Sequence, residues 1–170
     1  MISSSLDIEA VVEDQAAAER RAERRAEREP NVAPNETNGD DHESFAFGGP
    51  ADEADADRTI EVEALDSLAY DPPTIGVAAD ETVTFVVSNT GAAVHEFVIG
   101  DAEVQEEHEV EMQEMSDSGM PMGDEPNALV LEAGETKSIT WHFTEAGELE
   151  FACHQPGHYA GGMTGTFEVS

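Results

Sequence analysis

The chain has 170 residues, with 39 acidic against 7 basic side chains and a formal net charge of −32. Such a surface repels phosphate, so nucleic-acid binding is excluded. The length suits one domain of ordinary size, and no apolar run is long enough to cross a membrane as a helix.

The first 57 residues are unlike the rest. From Leu6 to Glu29 the composition is Ala, Glu and Arg, which predicts a helix. Arg20 with Glu23 and Arg24 with Glu27 are spaced to sit side by side. The apolar stripe is thin, ending after Leu6, Ile8, Val11 and Val12, so the helix is expected to stand exposed. Pro30 ends it, and residues 30–57 read as a disordered acidic linker of Asp, Glu, Asn, Gly and Pro. The expected organisation is an extension over residues 1–57 and one domain over 58–170. The start shows no basic segment followed by a hydrophobic run, so no secretory signal is expected.

Past Arg58 the pattern becomes short alternating strands. Thr59–Asp66, Thr74–Val77, Thr82–Asn89, Val94–Gly100, Ala128–Glu132, Lys137–Phe143, Glu148–Cys153 and Gly165–Val169 read as strands separated by Gly- and Asp-bearing turns. These predict an all-β fold, a Greek-key two-sheet β-sandwich. An insertion over residues 101–127 interrupts it, with a short helix expected over Ala102–Met115. Four of the six methionines, Met112, Met115, Met120 and Met122, fall here. Helical spacing puts His108, Met112 and Met115 on one face. Two readings stay open: a second site for Cu(I), which thioethers prefer, or a Met stripe that packs the helix onto the sandwich.

Cys153 is the single cysteine and opens a run in which His158 and Met163 follow at equal intervals, each five residues after the last. His95 lies far upstream on Val94-His95-Glu96-Phe97-Val98-Ile99, where alternation points it inward with Phe97 and Ile99. Leu149, Phe151 and Cys153 share a face in the same way. A lone buried Cys is ordinarily a small inert hydrophobe, and a lone inward His a satisfied core residue. Four candidate ligands in this order and strand phase favour a metal site instead. A thiolate, two imidazoles and a thioether suit a mononuclear type 1 copper centre. His154 is out of phase with Cys153 and is expected at the surface near the site, and His142 is expected to face solvent.

The region from about Thr59 to Ser170 resembles the cupredoxins, the blue copper proteins. Asn89-Thr90-Gly91, His95-Glu96-Phe97 and Cys153 to Met163 followed by Gly165 carry the resemblance. By position it implies His95, Cys153 and His158 as strong copper ligands and Met163 as the axial one. Glu96 departs from the Asn that many small members place after the first His. With its His- and Met-bearing insertion, the chain is more similar to prokaryotic copper-tolerance cupredoxins than to plastocyanin-type carriers.

Two functions follow from the resemblance: one-electron transfer by Cu(II)/Cu(I) cycling, or copper tolerance through sequestering or oxidising Cu(I) at the Met-rich segment. An enzyme is not expected, because the His-x-His motifs of multicopper oxidases and nitrite reductases are lacking. Gly157 stands where a binuclear centre needs a second Cys. The implied cofactor is one type 1 copper, with additional Cu(I) under the second reading. The partner is a redox protein, the chain is expected to be a monomer, and its place is extracytoplasmic. Acid spread along the entire chain points to a high-salt medium rather than to steering, because at molar salt the Debye length is about 3 Å.

Overall fold

A computed structural model describes residues 45–119 and 123–170 of the chain. The helix expected over Leu6–Glu29 lies outside the described residues, as do Met120 and Met122. The described elements are β1 (Gly48–Pro50), β2 (Arg58–Leu65), β3 (Ala69–Asp71), β4 (Thr74–Val77), β5 (Thr82–Asn89), β6 (His95–Gly100), α1 (Ala102–Ser118), β7 (Ala128–Leu131), β8 (Thr136–Phe143), β9 (Gly147–Ala152) and β10 (Thr164–Val169).

One sheet has the order β1-β8-β5-β2-β3 and the other β4-β10-β9-β6-β7. Strands β2 and β5 are parallel, as are β4 and β10. Between the sheets, Val83, Phe85 and Val87 of β5 and Trp141 and Phe143 of β8 meet Phe97 and Ile99 of β6, Phe151 of β9 and Phe167 of β10, all fully buried. Phe85 stands 5.8 Å from Phe97 and 5.3 Å from Phe167, ring to ring. Gly165 is required by this packing, since a Cβ there would lie 2.0 Å from the Phe151 ring.

Part of the segment expected to be linker, residues 45–57, is instead folded. Residues 45–57 belong to the sandwich: β1 pairs antiparallel with the outer edge of β8, and Phe45 and Phe47 stack 5.6 and 5.8 Å from Trp141. Two aromatics in an acidic, Gly-rich context supply the apolar cover that average composition hides. Strand β3 also escaped expectation, being three residues long, yet its Tyr70 is buried against Phe151 at 5.1 Å.

Helix α1 starts at Asp101, whose carboxylate accepts from the Val104 amide at 3.0 Å, and ends at Gly119 in the left-handed region, φ 66°. It is one turn longer than expected. Gln105, His108 and Met112 form its buried face, and Met115 is half-buried. The docking is polar: the Gln105 amide donates to the carbonyls of Val98 and Glu150 at 3.0 and 3.2 Å. Gly100 permits the close approach, because a Cβ there would meet Val104 at 2.7 Å. The helix thereby covers the outer face of β6 and β9, and every residue of β6 is buried.

Candidate metal centre

Strands β6 and β9 are antiparallel, with Val98 opposite Ala152. The first residue of β6, His95, therefore sits beside Cys153, which follows the last residue of β9. The β9–β10 loop brings His158 to the same place. Ligand atoms of His95, Cys153 and His158 all lie within 4.8 Å of one another. The Cys153 sulfur is 3.3 Å from Nδ1 of His158 and 4.0 Å from Nδ1 of His95, and the two rings are 5.1 Å apart. Bonds of about 2.0–2.1 Å to nitrogen and 2.3 Å to sulfur in a trigonal plane make a nitrogen–sulfur edge of roughly 3.8 Å. The two observed edges straddle that value, so the donor set fits one soft or borderline metal ion.

The loop is held by its own backbone. Cys153 N donates to the Met163 carbonyl at 3.1 Å, Met163 N to the His158 carbonyl at 3.0 Å, and His158 N to the Gln155 carbonyl at 2.8 Å. Gly157 and Gly162 take φ of 84° and 92°, which disfavour any side chain. Met163 is fully buried at the Cys153 end of the loop.

Each donor is oriented by a neighbour. Nε2 of His95 lies 3.1 Å from Oδ1 of Asp66, leaving Nδ1 to face the sulfur. Asp66 also accepts from the amides of Ala92 and Ala93 at 2.8 and 3.1 Å, and these bonds hold its carboxyl below the usual range. Gly91 belongs to this arrangement: a Cβ there would fall 2.1 Å from the Asp66 carboxylate. The Glu96 amide donates to the Cys153 sulfur at 3.3 Å. Burial pushes the Cys153 thiol up to about 12, with that amide and Gln155 opposing. Burial lowers the pKa of His158, and His95 beside it lowers it further.

Glu96, the departure from the small-member pattern, has a clear task. Its carboxylate accepts from the His154 amide at 3.1 Å, tying β6 to the start of the ligand loop, and its carbonyl accepts from the Tyr70 hydroxyl. Burial pushes its carboxyl up to about 7.

His154 is not at the surface. It is 1% exposed, with Nδ1 2.8 Å from Glu109 and Nε2 2.7 Å from the Gln105 carbonyl oxygen, under the Tyr159 ring at 4.5 Å. Strand phase places it on the outer face as expected, but α1 covers that face. Burial lowers the pKa of the ring, and the hydrogen bond to Glu109 opposes this without overturning it. His142 is half-buried with Nδ1 3.0 Å from the Thr82 hydroxyl, so it is not wholly in solvent.

Of the residues expected at a second site, His108 and Met112 are buried and Met115 is half-buried on one side of α1, while Met120 and Met122 lie outside the described residues. Asp66, Gln105 and Glu109 were not anticipated. No local motif marks them, because each acts across long sequence separations.

The family of copper-binding proteins of the plastocyanin/azurin type matches residues 56–170. A copper-resistant cuproprotein, CopI, of Pseudomonas aeruginosa is 42% identical over 150 residues, covering 73% of this chain and 82% of that protein. The CopI protein of Rubrivivax gelatinosus is 44% identical over 123 residues, covering 72% of this chain and 73% of its own length. Among solved structures, auracyanin B superposes with a TM-score of 0.60 at 29% identity, covering 73% of this chain and 96% of that one.

Proposed function

Because the chain belongs to the plastocyanin/azurin family of copper-binding proteins, we propose that it is a mononuclear type 1 copper protein carrying single electrons, with His95, Cys153 and His158 as strong ligands and Met163 as the axial one. The observation that carries this reading is the gathering of one sulfur and two imidazole nitrogens within 4.8 Å at one end of a sandwich. Bound copper supplies the one-electron couple between Cu(II) and Cu(I). Cys153 would hold the ion as a thiolate, its proton released to solvent, and the Glu96 N–H would stabilise that charge. Asp66, the Glu96 amide and the loop hydrogen bonds hold the donors in place beforehand. Such preorganisation keeps ligand positions similar in both oxidation states and lowers reorganisation on electron transfer. His158 is the half-exposed ligand and offers the edge through which a redox partner exchanges electrons.

The test is an absorption spectrum of the copper-loaded chain. One Cu(II) should produce an intense thiolate-to-copper band, and Cys153→Ala should abolish it. Colour that survives the substitution overturns the ligand assignment.

A second reading, copper tolerance, is supported by the two CopI relatives, both described as copper-resistant. In it His108 and the methionines of the 101–127 insertion accept Cu(I), and the protein works outside the cytoplasm. More than one cuprous ion per chain, reduced to one when Met112, Met115, Met120 and Met122 become Leu, supports it. Uptake of one copper by both proteins leaves the carrier reading alone.

A further inference from the structure

A second group of donors lies behind the Cys153 strand, on the far side of His154. His108 and Glu111 are three residues apart on α1 and share a face. Glu125 arrives from the segment that enters β7 through the Glu125–Ala128 bridge. One ligand atom from each of His108, Glu111 and Glu125 lies within 4.8 Å of the others. Nδ1 of His108 is 3.6 Å from Oε2 of Glu125. The His108 ring stands 5.1 Å from that of His154.

Two features separate this group from an ordinary acidic surface. The His108 side chain is only 8% exposed, and its buried Nε2 has no hydrogen-bond partner, the nearest carboxylate being Glu96 at 4.0 Å. A buried polar nitrogen left unpaired is costly. Burial also favours the neutral ring, which keeps a lone pair free for a metal. Second, several carboxylates converge on the ring. Glu96, Glu109, Glu111 and Glu125 crowd the ring, while Arg58 and Lys137, the Arg and Lys of the described residues, are paired with Glu81 and with Asp124 and Glu135 elsewhere.

We propose that His108, Glu111 and Glu125 form a second metal site, distinct from the His95, Cys153 and His158 centre, that takes a divalent transition-metal ion, with Cu(II) the strongest binder of the series. One imidazole and two carboxylates are borderline and hard donors, which suit a divalent ion, and affinity at such a site rises toward Cu(II). The site shares His108 with the cuprous reading, yet its remaining donors are oxygens. Its place beside His154 sets it one residue away from Cys153, so an ion held there lies next to the type 1 ligand strand.

The test is a Cu(II) titration of the full chain in excess Mg(II), which suppresses loose carboxylate binding, followed by electron paramagnetic resonance and chelator competition. A second Cu(II) should appear with the wide hyperfine splitting of a nitrogen–oxygen site, beside the first ion's thiolate band. Glu111→Gln with Glu125→Gln, both exposed, should weaken the second ion roughly tenfold or more and leave that band unchanged. His108→Asn should do the same. Met112→Leu with Met115→Leu should leave the second Cu(II) in place. A wild-type chain that stops at one Cu(II) overturns the proposal. So does a second ion whose affinity is unchanged in the Gln pair, or one lost with the methionines.

Discussion

Asp66 and His95 meet across 29 residues of sequence, Oδ1 to Nε2 at 3.1 Å, and this contact decides which imidazole nitrogen faces Cys153. The Asp66 carboxylate is itself fixed by the amides of Ala92 and Ala93. A ligand that cannot rotate or change tautomer holds a metal more tightly than one that can. Asp66→Ala should therefore weaken copper binding by about 10- to 100-fold. Chelator competition measures it, and an affinity within twofold of wild type would show that the carboxylate does not position His95.

Copper affinity should rise with pH. Burial pushes the Cys153 thiol up to about 12, so across the accessible range the empty site holds a proton that the metal must displace. Each unit of pH then makes binding tighter by about 1.4 kcal/mol from the thiol alone, with no plateau near the ordinary thiol range. The sign is fixed because the proton is lost on binding. Competition titrations from pH 7 to 9 check it, and a flat profile would mean that Cys153 is already a thiolate in the empty protein.

Met163 is fully buried, its carbonyl accepts from Cys153 N, and it is proposed as the weak axial donor. Met163→Gln should retain copper and lower the reduction potential, because an oxygen donor favours Cu(II) over Cu(I). Voltammetry on the loaded variant reads this directly. A variant unable to retain copper would assign Met163 a holding role instead of a tuning one.

Strand phase and turn residues made most of the sandwich legible, and β4 and β5 have the expected bounds. The gathering of His95, Cys153 and His158 was legible for the same reason: inward alternation on two strands and one short loop bring them together. What escaped was set by tertiary cover. Alternation predicts which face His154 occupies but not that a helix lies over that face, because α1 docks through the Gln105 amide rather than an apolar stripe. Phe45 and Phe47 were lost among acidic neighbours, and only the position of Trp141 gives them a place. Asp66 sits at the end of β2 with no motif around it, and its role depends on a loop that folds back from the next sheet neighbour.

Gln105 is the residue on which that helical cover depends. It is fully buried, and its amide serves three partners: the carbonyls of Val98 and Glu150 through Nε2, and Nε2 of His154 through Oε1. Gln105→Ala removes all three of these hydrogen bonds behind the Cys153 strand. Unmade buried hydrogen bonds cost about 1–3 kcal/mol each, and partial rearrangement toward water reduces the sum, so a loss of about 2–4 kcal/mol in folding stability is expected. The same change removes one of the two ring contacts of His154, leaving Glu109, and should shift the thiolate-to-copper band because the residue after Cys153 is held less firmly. Urea unfolding of the copper-free chain and the spectrum of the loaded one test the two halves separately. Stability within 0.5 kcal/mol of wild type, a threshold at about the size of an ordinary surface substitution, would mean that α1 is held by contacts other than this amide.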